Sequence, residues 1–341
     1  MRYLLIGATG DLARGKILPA LANLFAEGAL PSGFELIASS RRPWRDAQYR
    51  AFIASAVANE AFLARIRYLP ADFNEPDSLA RLYEAAQSAA ALQLAISPAE
   101  YERVIEGLGE ALAKTKLLIE KPFGTSEVSA RALDALITRF TPEENIFRVD
   151  HYLGKERVRA LAGKARGAKR VEIYLEERRG LAGRGAFYDR VGVLRDVVQN
   201  HALETLAIAL GEEDRAAVLD ELRYVEGSLR LGQYEGYLAE PGVVPRSQTP
   251  TAAALALSYR DTAIEIRAGK ALAQDKNELV IDGIPHPLGG GRAYENLIAD
   301  ALSGNREWFP TMEEILAAWR LIDPLIASAA APTTYSPGSD F

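Results

Sequence analysis

Residues 2–16, RYLLIGATGDLARGK, carry a short apolar run into a glycine turn and directly on into a helical pattern. This start narrows what the chain can become. A buried strand followed at once by a helix needs a second strand beside it, reached by a right-handed crossover. The alternation recurs. FELIASS (34–40), LQLAIS (92–97), TKLLIEKPFG (115–124) and NIFRVDHYLG (145–154) read as further strands. KILPALANLFAEG (16–28), YRAFIASAVANEAFLARI (49–66), YERVIEGLGEAL (101–112) and SARALDALITRF (129–140) read as helices between them, with Pro19 expected to kink or restart the first.

Beyond about residue 160 the pattern changes. AKRVEIYLEERRG, ELRYVEGSLRLGQYEGYL, ALALSYRDTAIEIRAG and KNELVIDGI alternate apolar and polar residues, as half-solvated antiparallel strands do. FYDRVGVLRDVVQNHALETLAIALG and RAYENLIADALSG are helical, and the tail AAPTTYSPGSDF has turn chemistry and reads as irregular. The expected fold is α/β. Residues 1–149 form a Rossmann-type doubly wound sheet, and residues 150–341 an α+β domain with a largely antiparallel sheet.

Composition removes several function classes. The chain has no cysteine, which excludes disulfides, thiol catalysis and cysteine-held zinc. Net charge is −6 with no basic tail, against general nucleic-acid binding. The first apolar run is too short for a signal peptide, and no stretch approaches the ~20 apolar residues of a membrane span. The chain reads as cytoplasmic, with no metal expected.

In the opening turn, Gly7 permits the tight bend and Gly10 lets backbone approach a pyrophosphate at the start of a helix. The third position of the usual fingerprint is Ala13. Strand 2 is followed by SSRRPWR, Ser39 to Arg45, with no acid before Asp46. An acid there would hold a ribose 2′-hydroxyl. Arg41, helped by Arg42 or a serine hydroxyl, instead suits a 2′-phosphate, and NADP is the expected coenzyme. A solvated basic turn is the alternative.

Two further clusters carry chemistry. DHYLGKE brings Asp150, His151, Tyr152 and Lys155 to the end of the last strand of the first half, where ligand crevices open in parallel sheets. A histidine, a phenol and an ammonium together suit a phosphate monoester. RDVVQNH places Asp196, Asn200 and His201 in a helix. With α-helical spacing, Asp196 and Asn200 share a face and His201 lies ~140° around the axis from Asp196. Lys121 stands beside Pro122 at a strand end.

Taken in order, GATGDLARGKILPAL, IEKPFG, RVDHYLGKE, GRGAFYDRVGVLRDVVQNH, LGQYEGYL, AGKAL, RAYENLI and AWRLIDPL give a chain that resembles the glucose-6-phosphate dehydrogenase family over nearly its whole length. The resemblance implies NADP-linked oxidation of glucose 6-phosphate at C1 to 6-phosphogluconolactone, the entry to the pentose phosphate pathway. It implies His201 as general base, with Asp150 as its carboxylate partner. It implies His151, Tyr152 and Lys155 at the 6-phosphate, and Lys121, Glu177, Asp196 and Lys270 at the sugar. Gly7, Thr9, Gly10, Asp11, Leu12 and Arg41 match the coenzyme site, with Lys121 near the nicotinamide. A homodimer or homotetramer is expected on the same ground. The chain departs from the family in length and at Asp275, where a second basic substrate contact is usual; adjacent Lys276 is the candidate replacement. Two other readings stay open: a dehydrogenase of another sugar or sugar phosphate, and a non-catalytic NADP-binding relative.

Overall fold

The computed structural model describes residues 1–211 and 214–341. The chain forms two compact units. The first takes Met1–Phe123, Arg131–Gly154 and Arg292–Pro310; the second takes Gly124–Ala130, Lys155–Gly291 and Thr311–Phe341. A single boundary after residue 149 does not anticipate this return of residues 292–310 to the first unit.

The first unit holds six parallel strands, β1 (Arg2–Ile6), β2 (Glu35–Ser40), β3 (Ile66–Pro70), β4 (Ala91–Leu94), β5 (Lys116–Glu120) and β6 (Ile146–Val149), in the order β3-β2-β1-β4-β5-β6. Leu4 of β1 pairs with Ile37 on one side and Leu92 on the other, so the strand order reverses across β1 and β4. Crevices open at such a reversal, outside the carboxyl ends of the strands. On one face of this sheet a core cluster packs Tyr3, Leu5, Leu36 and Ile66 among Phe34, Phe62 and Leu297.

Two local expectations change here. Residues 49–66 are not one helix. The helix Asp46–Ile53 ends, a turn Glu60–Leu63 restarts under an Asn59 cap on the Phe62 N–H, and Ile66 enters β3. Pairing of Ile66 with Leu36 settles the ambiguous apolar run in favour of strand. Pro19 does mark a restart: a π-helical turn Ala13–Ile17 leads into the α-helix Leu18–Ala26 with Pro19 in its first turn, where a missing N–H is tolerated.

The second unit is built on a mixed sheet of β7 (Arg170–Glu176), β8 (Arg223–Tyr224), β9 (Arg230–Tyr234), β10 (Ala252–Tyr259), β11 (Thr262–Gly269), β12 (Lys276–Ile281), β13 (Ile284–Pro287) and β14 (Thr333–Tyr335). Most neighbours are antiparallel; β7 with β11 and β9 with β14 are parallel. Along β7 the residues Val171, Ile173 and Leu175 are buried, while Arg170, Glu172 and Tyr174 face outward. The outward face carries ion pairs, Arg170 with Glu172 and Glu265, and Arg267 with Glu176. Helical segments cover the other face. The tail is not wholly irregular: Thr333–Tyr335 adds an edge strand, fixed by the Tyr335 hydroxyl donating to Lys270 O at 2.6 Å. A turn-rich composition concealed a strand whose partner lies a hundred residues away in sequence.

Candidate active site

The glycine turn closes on the ends of β1 and β2. Gly7 (φ +88°) and Ala8 both donate to Ser39 O at 2.9 Å, and Gly10 donates to Gly7 O at 3.0 Å. A Cβ on Gly7 would lie 2.2 Å from Ala95 O, so only glycine fits. Gly7, Thr9, Gly10, Ser40, Arg41 and Arg42 share the lining of a cavity of about 340 Å³. Asp11 and Leu12, expected at the same site, open the helical segment just outside that lining. Arg42 lies over the Trp44 ring, 4.8 Å from its centroid, and Arg41 is exposed. A narrow backbone turn, a helix start and two guanidinium groups are what the phosphates of a dinucleotide require, so the residues present fit that group.

Further along the sheet, the pairing of Glu120 with Val149 puts Lys121 and Asp150 side by side, each one residue past its strand. The Lys121–Pro122 bond is cis. Asp150 is 1% exposed, and its Oδ1 accepts the Tyr152 N–H at 2.9 Å, tightening the DHYL turn. The His151 and Tyr152 rings meet edge to face at 5.0 Å. Gly154 has a packing reason: a Cβ there would lie 2.1 Å from Ala293 O, and Asn296 Nδ2 donates to Gly154 O at 2.8 Å. The Ala293–Ser303 helix thus docks directly on the motif's glycine.

Beneath Lys121 lies a network that sequence reading missed. Glu120 is buried; its carboxylate accepts from Gln93 Nε2 at 2.8 Å and from the Tyr294 hydroxyl at 3.2 Å, while the Tyr3 hydroxyl donates to Gln93 Oε1 at 2.6 Å. Burial pushes the Glu120 pKa up to about 7; the two hydrogen bonds and Lys121 oppose this, and the Asp150 charge adds to it. No periodicity marks such a group. The acid next to a motif lysine was its only signal.

In the second unit, Lys155 is buried and precedes the helical turn Glu156–Arg159. The helix Gly185–Val193 is interrupted at Gly192 (φ 65°, ψ 170°), and from Leu194 to Ala202 the chain is π-helical. This corrects the α-helical spacing. In a π-helix, at roughly 4.4 residues per turn, the residue five positions on lies only ~50° past the first, so Asp196 and His201 fall on the same side. The segment packs on β7 and β11. His201 is 5% exposed. Glu177 and Lys270 follow directly on the ends of β7 and β11 and are joined by an ion pair from Nζ to the carboxylate, the lysine buried and the glutamate exposed. Tyr188, 1% exposed, is another residue missed: its hydroxyl has no hydrogen-bond partner among the described residues, and burial followed by the Asp196 charge holds it neutral.

The proposed replacement at Lys276 does not join the Glu177–Lys270 pair. Lys276 Nζ sits over the Tyr174 ring, 3.1 Å from its centroid, on the outward face, paired with Glu278 at 3.5 Å. Asp275 accepts the Arg178 N–H at 2.9 Å, tying the segment just before β12 to the chain leaving β7.

A parallel sheet of this order, with a glycine turn at its reversal and a second α+β unit following in sequence, is the architecture of a dinucleotide-binding protein, and the family match to its first unit makes the class a nicotinamide-dinucleotide oxidoreductase. Residues 4–160 match "Glucose-6-phosphate dehydrogenase, NAD binding domain", and residues 164–288 and 289–340 match "Glucose-6-phosphate dehydrogenase, C-terminal domain". The chain belongs to the glucose-6-phosphate dehydrogenase family. It is 28% identical to glucose-6-phosphate 1-dehydrogenase 2 of Mycobacterium tuberculosis over 462 aligned positions, covering 98% of this chain and 90% of that protein. Identity to the glucose-6-phosphate 1-dehydrogenase of Cyberlindnera jadinii is 31%, covering 95% of this chain and 88% of the relative. The crystal structure of glucose-6-phosphate 1-dehydrogenase from Mycobacterium avium aligns with TM-score 0.85 at 26% identity, over 99% of this chain and 94% of that one. With 341 residues against 462 aligned positions, the chain keeps both domains in trimmed form.

Proposed function

We propose that this protein oxidises glucose 6-phosphate at C1 to 6-phosphogluconolactone with NADP as coenzyme. The observation that carries the reading is that family likeness runs through both units while the two reactive motifs, DHYLGKE and RDVVQNH, stand intact. The bound nicotinamide supplies the hydride acceptor. The chain's own task is to bind, orient and move one proton. His201, sheltered on its π-helical segment, removes the C1 hydroxyl proton as hydride leaves, and Asp150 serves as the carboxylate that stabilises the imidazolium. His151, Tyr152 and Lys155 hold the 6-phosphate, whose binding energy orients a carbon remote from it. Lys121, Glu177, Asp196 and Lys270 hold sugar hydroxyls, with Lys121 also near the nicotinamide. Gly7, Thr9, Gly10, Asp11 and Leu12 hold the coenzyme. Preference for NADP over NAD rests on Arg41 and Arg42 lining the cavity where an acid would favour the unphosphorylated ribose. We extend the reading to a cytoplasmic homodimer or homotetramer; among the described residues no helix is long and apolar enough to cross a membrane.

The outward position of Lys276 and the engagement of Asp275 with the Arg178 N–H favour one alternative, a different hexose phosphate as substrate. One assay decides. Reduced coenzyme is followed by absorbance with NADP⁺ and a panel of sugars and sugar phosphates. Turnover with glucose 6-phosphate is expected, and His201→Asn should lower kcat by roughly 10²–10⁴-fold with substrate still bound. Turnover restricted to another sugar overturns the substrate, and full activity of the His201 variant overturns the mechanism.

A further inference from the structure

An asparagine inside a helical run normally weakens it, because its amide competes for backbone partners. Asn200 is 7% exposed and uses both ends of its amide on the segment that carries His201. Its Nδ2 donates to Arg195 O, five residues back, at 2.8 Å. Its Oδ1 accepts the His201 backbone N–H at 2.7 Å. The side chain therefore bridges a carbonyl of one turn and the N–H of the next. The segment's end keeps the same wide spacing, with Leu203 N–H reaching Val198 O. Its other boundary is Gly192, whose positive φ breaks the preceding helix.

The consequence is angular. Five residues end ~140° beyond a full turn in an α-helix but only ~50° beyond one in a π-helix, at roughly 4.4 residues per turn. Without the wide turn, His201 would rotate off the face it shares with Asp196. We propose that Asn200 is a positioning residue for proton abstraction: its amide holds the π-helical register that aims the His201 imidazole. This rests on the reading of His201 as the base. In that role Asn200 acts through the backbone N–H of its neighbour.

The test compares Asn200→Ala, Asn200→Asp and His201→Asn in the full-length protein, assayed with NADP⁺ and glucose 6-phosphate across pH. Asn200→Ala should lower kcat by about 10–100-fold while KM for the sugar phosphate moves less than about threefold, the signature of misaimed chemistry with intact binding. Asn200→Asp keeps the acceptor for the His201 N–H but loses the donor. It should lose less kcat than the alanine variant, and the acid limb of its pH profile should move upward because a carboxylate now lies one residue from the imidazole. Wild-type kcat and an unshifted pH profile in Asn200→Asp overturn the proposal, whether or not the alanine variant folds. If His201→Asn keeps full turnover, the base assignment itself fails; if it is inactive while both Asn200 variants match wild type, only the positioning role fails.

Discussion

Replacing Glu120 by glutamine isolates the energetic consequence of a buried acid in the first unit. In the protein the carboxyl pKa is pushed up to about 7 from an ordinary 4.5. Folding therefore favours the protonated form. The sign follows directly: the stability contribution is full below about pH 4.5 and is lost as pH rises through about 7. That shift corresponds to about 3 kcal/mol across the window. Glutamine keeps an oxygen for Gln93 Nε2 and turns its amide toward the Tyr294 hydroxyl, which can accept as well as donate. Near pH 4.5 the variant should match the native protein. By pH 8 it should be the more stable of the two by about 3 kcal/mol. Guanidinium unfolding followed by circular dichroism at several pH values in this interval gives the difference directly. A difference that stays flat from acid to base, or a glutamine variant weaker at every pH, refutes the assignment of a raised pKa to Glu120.

Two substitutions test other parts of the molecule. Arg41→Ala should weaken NADP⁺ binding roughly 10–100-fold, the worth of a charged hydrogen-bonded contact, while NAD⁺ binding changes little; equal losses for both, measured by fluorescence titration, would remove Arg41 from the 2′-phosphate. Gly154→Ala drives a methyl to within 2.1 Å of the Ala293 carbonyl oxygen, a backbone atom that cannot yield without shifting the Ala293–Ser303 helix. The expected loss is about 3 kcal/mol in a thermal melt, and an unchanged melting temperature would show that the helix moves freely.

What the sequence made legible and what it hid divide along physical lines. Gly7, the apolar runs of β1, β2, β4, β5 and β6, and the alternation in β7, β10 and β11 declare themselves because each is a local pattern imposed by burial. Residues 66–70 did not, since AFLARIRYLP satisfies a helical period as well as a strand until β2 offers its free edge. The tail strand and the return of the Ala293–Ser303 helix are hidden for the same reason: an amphipathic face does not name the core it joins. At the site, the reactive residue types were visible, but their angular relation was not. With α-helical spacing Asp196 and His201 diverge, and the wider turn shows only in the folded backbone, where Leu203 N–H reaches Val198 O. Gly154 was visible as a letter in a motif, yet its reason lies in a carbonyl about 140 residues further along the chain.

The order in which residues leave the ribosome gives one of these features a temporal meaning. Tyr294, which covers the Glu120 carboxylate, is translated 174 residues after it. At roughly 5–20 residues per second, the nascent sheet waits on the order of ten to thirty seconds for that cover. During this interval a titratable acid destined for the interior must stay hydrated or protonated. A newborn chain halted short of residue 292 therefore exposes an unfinished sheet surface to chaperones and proteases, however complete its glycine turn and its strands have become.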